Sequence, residues 1–195
     1  MKLNFYQNIR LFPDEETGAK EIGEALFIQL HLAFVENKDS KGNSRYAISF
    51  PEYSKGGGKG SFGRFFRVFA STEEDLSALD LTRICDRLSG YVECTRITPV
   101  PKVSSFLRFY RVQGKSNAEA LARRMSKRKG ISLDEAREKY KNFKPTMLNL
   151  PYINIKSFST KQAFPLSINC VCETEEKDGA FTLYGLSSGG NVPDF

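Results

Sequence analysis

The chain has 195 residues, 40% of them hydrophobic and 27% charged. That is ordinary globular usage, long enough to bury a core without disulfide staples, and it excludes a disordered chain. No run of 18 apolar residues occurs, so no helical membrane span is expected, and one histidine in the whole chain excludes most zinc and two-metal catalytic sites. The net charge of +6, from 29 basic and 23 acidic residues, favours an anionic partner such as nucleic acid.

The opening stretch MKLNFYQNIRLFPDEE alternates and carries charge early. It does not read as a signal peptide, so the expected compartment is the cytoplasm. Leu3, Phe5, Ile9 and Leu11 predict a half-buried strand that Pro13 ends. A helix is expected from Thr17 to Glu36, with Ile22, Leu26, Leu30 and Ala33 as its core stripe. Tyr46 to Phe50 reads as a second strand and Arg64 to Ala70 as a third. The glycine loop between them, residues 55–63, is a hairpin connection; it is not a phosphate-binding loop, because Lys59 is followed by Gly60. Ser71 and Glu74 fit a capping box. Helical segments follow to Leu88 with an interruption near Asp80, and Tyr91 to Ile97 is a fourth strand.

The order β-α-β-β-α-β is that of a ferredoxin-like fold. The proline-rich linker Thr98-Pro99-Val100-Pro101 then suggests a boundary. The expected protein is therefore α+β: a ferredoxin-like domain over residues 1–98, then a C-terminal α+β half over 99–195. In that half Ser104 to Gln113 is extended. Ser116 and Glu119 form a second capping box, opening a basic helix over about 117–129 that should stop at Gly130. Ser132 and Glu135 open another helix. Tyr152 to Lys156, Phe164 to Glu173 and Ala180 to Tyr184 read as strands. Cys85, Cys94, Cys170 and Cys172 contain no C-x-x-C pair and read as reduced thiols.

Chemistry concentrates in three places. On the helix after Ser116, with Arg123 at zero, Lys127, Arg124 and Arg128 fall at about 40°, 100° and 140° around the axis. Leu121, Met125 and Ala118 form a narrow apolar stripe beside them. No acidic residue is expected on the basic face, whereas a plain solvated helix interleaves Glu. Such a face suits the phosphates of an RNA duplex, which is read by shape and backbone. Just upstream, Arg111 and Gln113 lie two apart on an extended segment. Arg can pair with guanine O6 and N7, and Gln with adenine N6 and N7. His31, about 180° from Ile22, shares its side of the first helix with Phe27. Imidazole is matched to proton transfer near neutral pH, although a lone histidine is more often structural.

Five phrases carry a resemblance. KSFSTKQAF (residues 156–164) and FTLYGLSSGGNVPDF (181–195) resemble the end of the CRISPR-repeat-processing endoribonuclease family of type I-F systems. LFIQLHLAF (26–34), ISFPE (48–52) and RVQGKSNAEALARRM (111–125) match the same family in order. The resemblance implies that His31 acts on a ribose 2′-hydroxyl, that Ser157 holds that hydroxyl, and that Tyr184 orients the imidazole. It implies that Arg111 and Gln113 read bases at the foot of an RNA hairpin where Phe164 stacks. Arg123, Arg124, Lys127 and Arg128 would lie in the hairpin's major groove, with Lys115, Ser116, Ser159 and Thr160 as further RNA contacts. Ala122, Lys127 and Lys129 stand where a family member is richer in Arg, and Lys offers a point charge in place of a planar fork. Asp194 stands where an aromatic is familiar.

The implied activity is metal-independent cleavage of CRISPR repeat RNA by 2′-hydroxyl attack, with no cofactor. The implied partners are the guide RNA and other subunits of a type I-F surveillance complex. The competing reading is a non-catalytic RRM-like RNA-binding subunit of a ribonucleoprotein. A single-stranded sheet binder fits less well, because RFFRVFA lacks the Lys/Arg-Gly-aromatic-Gly/Ala pattern.

Overall fold

The computed structural model of the chain describes residues 1–56, 60–114, 118–144, 148–156 and 162–195. It is an α+β protein whose contacts divide it into two units, residues 1–111 with 150–195, and residues 112–149.

In the first unit, strand β1 (Phe5–Leu11) alternates, burying Gln7, Ile9 and Leu11. Helix α1 (Ala19–Glu36) turns Ile22, Leu26, Phe27, Leu30 and Phe34 inward. Each such side chain contributes roughly 1.5–3 kcal/mol when fully buried. Phe27 belongs to the core although it lies off the expected stripe, because the chain covers that side of α1 as well. Strands β2 (Ala47–Ser49) and β3 (Phe65–Ala70) pair antiparallel, and Ser54 and Ser61 exchange backbone hydrogen bonds at the base of the glycine loop. Residues 57–59 of that loop lie outside the described residues.

Helices α2 (Glu73–Leu79) and α3 (Leu81–Cys85) follow, then a 3₁₀ turn over Asp86–Leu88. The expected interruption at Asp80 is a left-handed residue, φ 51°, whose carboxylate caps α3 at Arg83 N. The expected cap of α2 moves by one residue. Thr72 Oγ1, not Ser71, accepts from the third backbone N–H along, that of Asp75, because the helix begins at Glu73.

Strand β4 (Val92–Cys94) is shorter than expected, and β5 (Thr98–Pro99) is a separate piece that also pairs with β1. The sheet order is β2-β3-β1-β4, each pair antiparallel. Thr98 and Pro99, where the linker suggests a boundary, thus lie within the first unit's sheet. Cys85 Sγ and Cys94 Sγ approach to 3.6 Å and are free thiols, as are Cys170 and Cys172.

A second sheet has the order β7-β8-β6-β9, from β6 (Phe106–Val112), β7 (Tyr152–Lys156), β8 (Ala163–Glu173) and β9 (Val192–Pro193). The short β9 has no signature in the sequence beyond one valine. The expected strand at Ala180–Tyr184 is instead a tight turn: Gly185 N donates to Thr182 O, and only Phe181 forms isolated bridges.

In the second unit, α4 (Ala118–Lys129) stops at Gly130, φ 64°, whose N–H bonds Ser126 O. Helix α5 (Leu133–Lys139) is capped by Ser132 Oγ accepting from Glu135 N, as expected. Ala122 and Ala136 are fully buried in this helix pair, which explains why position 122 carries no long cation.

The two sheets of the first unit share an aromatic core centred on Phe50. Its ring lies 4.7 Å from Phe62, 5.0 Å from Phe66 and 5.3 Å from Phe109, centroid to centroid. Phe66 belongs to the first sheet and Phe109 to the second. Phe50→Ala should therefore cost about 3–5 kcal/mol, read as a lowered denaturation midpoint in urea.

Candidate active site

His31 sits half-buried on α1, one helical turn after Phe27. The turn at 182–185 comes down on it. Tyr184 stacks on the imidazole with centroids 4.2 Å apart and planes at 21°, and on Phe27 at 6.2 Å and 11°. The carbonyl oxygen of Leu183 lies 2.8 Å from His31 Nδ1. A carbonyl can only accept, so Nδ1 carries the proton and donates to it. In the neutral ring Nε2 then holds the free lone pair and is the basic nitrogen.

The turn is pinned from several sides. Ser44 N donates to Phe181 O at 3.0 Å, Ile48 N to Gly185 O at 2.9 Å, and Ser187 N to Phe109 O at 2.8 Å. Gly185 adopts φ 71°, a region in which a side chain costs about 1–2 kcal/mol.

An open cleft of about 680 Å³ has His31, Arg108, Tyr110, Arg111, Tyr184 and Ser187 in its lining. Arg111 is exposed at the end of β6, and its guanidinium carbon lies 5.2 Å from the centre of the Phe164 ring. Two residues expected at the foot of a hairpin are thus in contact. Arg108 Nε donates to Glu173 Oε1 at 3.1 Å. Burial by itself raises the Glu173 carboxyl pKa, but hydrogen bonds from Lys177, Asn191 and Arg108 outweigh it and hold the group below the usual carboxylate range. Glu173 is therefore an anion at neutral pH.

The sequence reading contains neither the Leu183 carbonyl nor the Arg108–Glu173 pair. Every residue has a carbonyl, so no signal could have singled out Leu183. In the sequence Arg108 is one of two arginines in an extended segment, with nothing to set it apart. Ser157, Ser159, Thr160, Lys115 and Ser116 lie outside the described residues. Gln113 is exposed just past β6.

In the second unit Arg123, Arg124, Lys127 and Arg128 are all exposed on α4. The expectation of no acidic residue on that face is corrected. Glu119, one turn before Arg123, accepts from Arg123 Nε at 3.2 Å and from Arg137 Nη2 at 2.8 Å. Its carboxylate is engaged chiefly by Arg137 of α5, so Arg124, Lys127 and Arg128 form no ion pair among the described residues. Among the described residues no group of three or more His, Cys, Asp or Glu could hold a metal ion, and no helix is long and apolar enough to cross a membrane.

The fold and the cleft together define an α+β protein built around one imidazole of fixed tautomer, with a separate helix of exposed cations. The sequence pattern of the CRISPR-associated Cas_Csy4 family matches residues 6–195, and the chain belongs to that family. It is 34% identical over 194 residues to the CRISPR-associated endonuclease Cas6/Csy4 of Pseudomonas aeruginosa (strain UCBPP-PA14), covering 99% of this chain and 100% of the relative. It is 30% identical, with the same coverage, to the protein of that name from Escherichia coli (strain UTI89 / UPEC).

Gly185→Ala tests the turn. An added Cβ would meet Phe34 Cε2 at 2.8 Å and Ile48 Cβ at 3.2 Å, on a backbone already unfavourable for alanine. The variant should lose at least about 2 kcal/mol of stability and should lose the Nδ1–H bond to Leu183. Urea unfolding reads the first, and the ¹⁵N shifts of the only imidazole read the second.

Proposed function

We propose that the chain is an endoribonuclease that binds a CRISPR repeat RNA hairpin, cleaves at its base, and retains the product as guide RNA. The observation that carries this reading is the tautomer of His31. With Nδ1–H committed to Leu183 O, Nε2 is the one imidazole lone pair in the protein, on a ring that lines an open cleft. The family and the relatives' names support nucleic-acid cleavage in CRISPR systems.

His31 Nε2 takes the proton from a ribose 2′-hydroxyl. The 2′-oxygen attacks the adjacent phosphorus, the bond from phosphorus to the 5′-oxygen breaks, and that oxygen leaves with a proton from the imidazolium or from water. The products are a 2′,3′-cyclic phosphate and a 5′-hydroxyl. The nucleophile belongs to the RNA, so the reaction calls for neither a metal-activated water nor a protein nucleophile. Tyr184, flat on the ring, restrains imidazole rotation. Ser157 is assigned to hold the 2′-hydroxyl, with Ser159, Thr160, Lys115 and Ser116 as RNA contacts.

Arg111, stacked on Phe164, and Gln113 are read as base readers, and Arg123, Arg124, Lys127 and Arg128 as the phosphate-tracking face. The order β-α-β-β-α-β, with antiparallel strand order β2-β3-β1-β4, supports a ferredoxin-like reading of the first sheet. A retained guide RNA would be shared with other subunits of a type I-F surveillance complex.

Single-turnover cleavage of a hairpin repeat tests the mechanism. His31→Ala should slow cleavage by about 10²–10⁴-fold or more while binding holds within a few-fold. A single deoxyribose upstream of the scissile phosphate should abolish cleavage at nearly unchanged affinity, and a chelator should leave the native reaction intact. Cleavage of the deoxy substrate, or strict metal dependence, overturns the mechanism. Binding with no cleavage by the wild type would favour the RNA-binding-subunit reading instead.

Competition binding separates reading from tracking. Arg111→Ala should cost about 1–3 kcal/mol and relax preference at one base. Lys127→Ala should weaken all sequences alike and flatten the salt dependence. Equal, sequence-blind losses for both would remove the distinction.

A further inference from the structure

Attack by a 2′-oxygen drives a phosphodiester with one negative charge toward an intermediate with two. The imidazole accepts the proton at the attacking oxygen, which leaves the charge growing on the non-bridging oxygens without a partner. Donors fixed in advance at such oxygens are usually the largest single contribution to catalysis. Among the described residues lining the cleft with His31, two carry a permanent positive charge, Arg108 and Arg111.

Their settings differ. Arg111 is exposed, forms no ion pair among the described residues, and lies over the Phe164 ring. The Arg108 side chain is only 35% exposed and is held at two points, one of them itself anchored. Its Nε is bonded to Glu173 Oε1 at 3.1 Å, its guanidinium carbon lies 4.6 Å from the centre of the Tyr110 ring, and the Tyr110 hydroxyl in turn accepts from Asn169 Nδ2 at 2.7 Å.

Glu173 does not cancel the Arg108 charge by itself. It also accepts from Lys177 Nζ at 3.0 Å and from Asn191 Nδ2 at 2.8 Å, so one carboxylate serves two cations. The carboxylate takes only Nε of Arg108, and among the described residues no acceptor takes either Nη. A planar fork anchored at its back edge, with both terminal nitrogens free, is the form of arginine best suited to two oxygens of a phosphate.

We propose that Arg108 is the catalytic cation of the cleft, its two Nη groups donating to the non-bridging oxygens of the scissile phosphate and stabilising the charge that develops there. This assignment rests on the endoribonuclease reading and adds to it the residue that binds the reacting phosphate. Glu173 and Tyr110 are positioning residues that hold the fork. The rival role for Arg108 is structural, a tie between β6 and β8 through Glu173.

The experiment uses the full-length protein and a hairpin repeat RNA that the wild type cleaves in single turnover. Arg108→Ala should slow cleavage by about 10²–10³-fold. Affinity for the uncleaved deoxy hairpin should fall by no more than about threefold, because many other phosphates carry binding. Arg108→Lys should be intermediate, and Arg108→Gln should match Ala. Guanidinium ion at tens of millimolar should restore part of the Arg108→Ala rate and none of the His31→Ala rate. A tie between strands would show instead as a lowered melting temperature, with no rescue and no separation of rate from affinity.

If Arg108→Ala does not fold, the Lys and Gln variants decide: a Lys rate at least tenfold above Gln supports the assignment, and equal rates overturn it. Wild-type cleavage with near wild-type rates for Arg108→Ala overturns the assignment and leaves the endoribonuclease reading intact. Failure of the wild type to cleave any repeat hairpin removes both.

Discussion

The site depends on one docking event, the seating of the turn at residues 181–187 against α1, β2 and β6. Backbone groups of Ser44, Ile48 and Phe109 hold it from three directions. Those bonds leave the Leu183 carbonyl aimed at His31 Nδ1 and lay Tyr184 flat on the imidazole. Gly185 makes the seating possible, since its left-handed backbone lies where a Cβ would run into Phe34 and Ile48. The chemistry of the imidazole is therefore set by tertiary contacts of the backbone, and not by a carboxylate partner of the kind that often orients a functional histidine.

The same contacts connect the site to the core. Phe27 lies beneath Tyr184 and also faces Phe50, whose ring neighbours reach β3 and β6. His31 is thus carried by a helix whose opposite side is packed against the first sheet, and covered by a turn anchored to both sheets. A stacked aromatic pair adds roughly 0.5–1.5 kcal/mol beyond area burial, which suits a ring that must stay fixed while its free nitrogen takes and returns a proton.

Charge is arranged differently in the two units. In the first, one carboxylate, Glu173, gathers Arg108, Lys177 and Asn191 and holds one guanidinium at the cleft wall. In the second, Glu119 binds Arg137 of α5 and Arg123 of α4, tying the helix pair together. Arg124, Lys127 and Arg128 remain exposed on α4 without such partners among the described residues. Surface ion pairs of this sort contribute little to stability. Their effect is to settle which cations are committed within the protein and which face outward.

Much of the architecture was legible in the sequence because it is encoded between near neighbours. The 3.6-residue stripe of Ile22, Leu26 and Leu30, the alternation of Ile9 and Leu11, the break at Asp80 and the stop at Gly130 each involve residues within a few positions of one another. His31 was legible for a simpler reason, as the one imidazole available. The stretch at Ala180–Tyr184 reads as a strand because it is rich in apolar and aromatic residues, while its backbone hydrogen bonds are spent on a turn and on distant segments. Glu119, which lies just before the four cations of α4, joins their face because a second helix supplies Arg137 to hold its carboxylate, and no local pattern signals that partner. Composition and periodicity determined an α+β chain, a lone imidazole and a helix of cations. Only the tertiary structure decided which imidazole nitrogen is basic and which arginine lining the cleft is anchored to a carboxylate. The Leu183 carbonyl and His31 are 152 residues apart, and a contact between such distant groups leaves no local pattern when one partner is a backbone atom common to every residue.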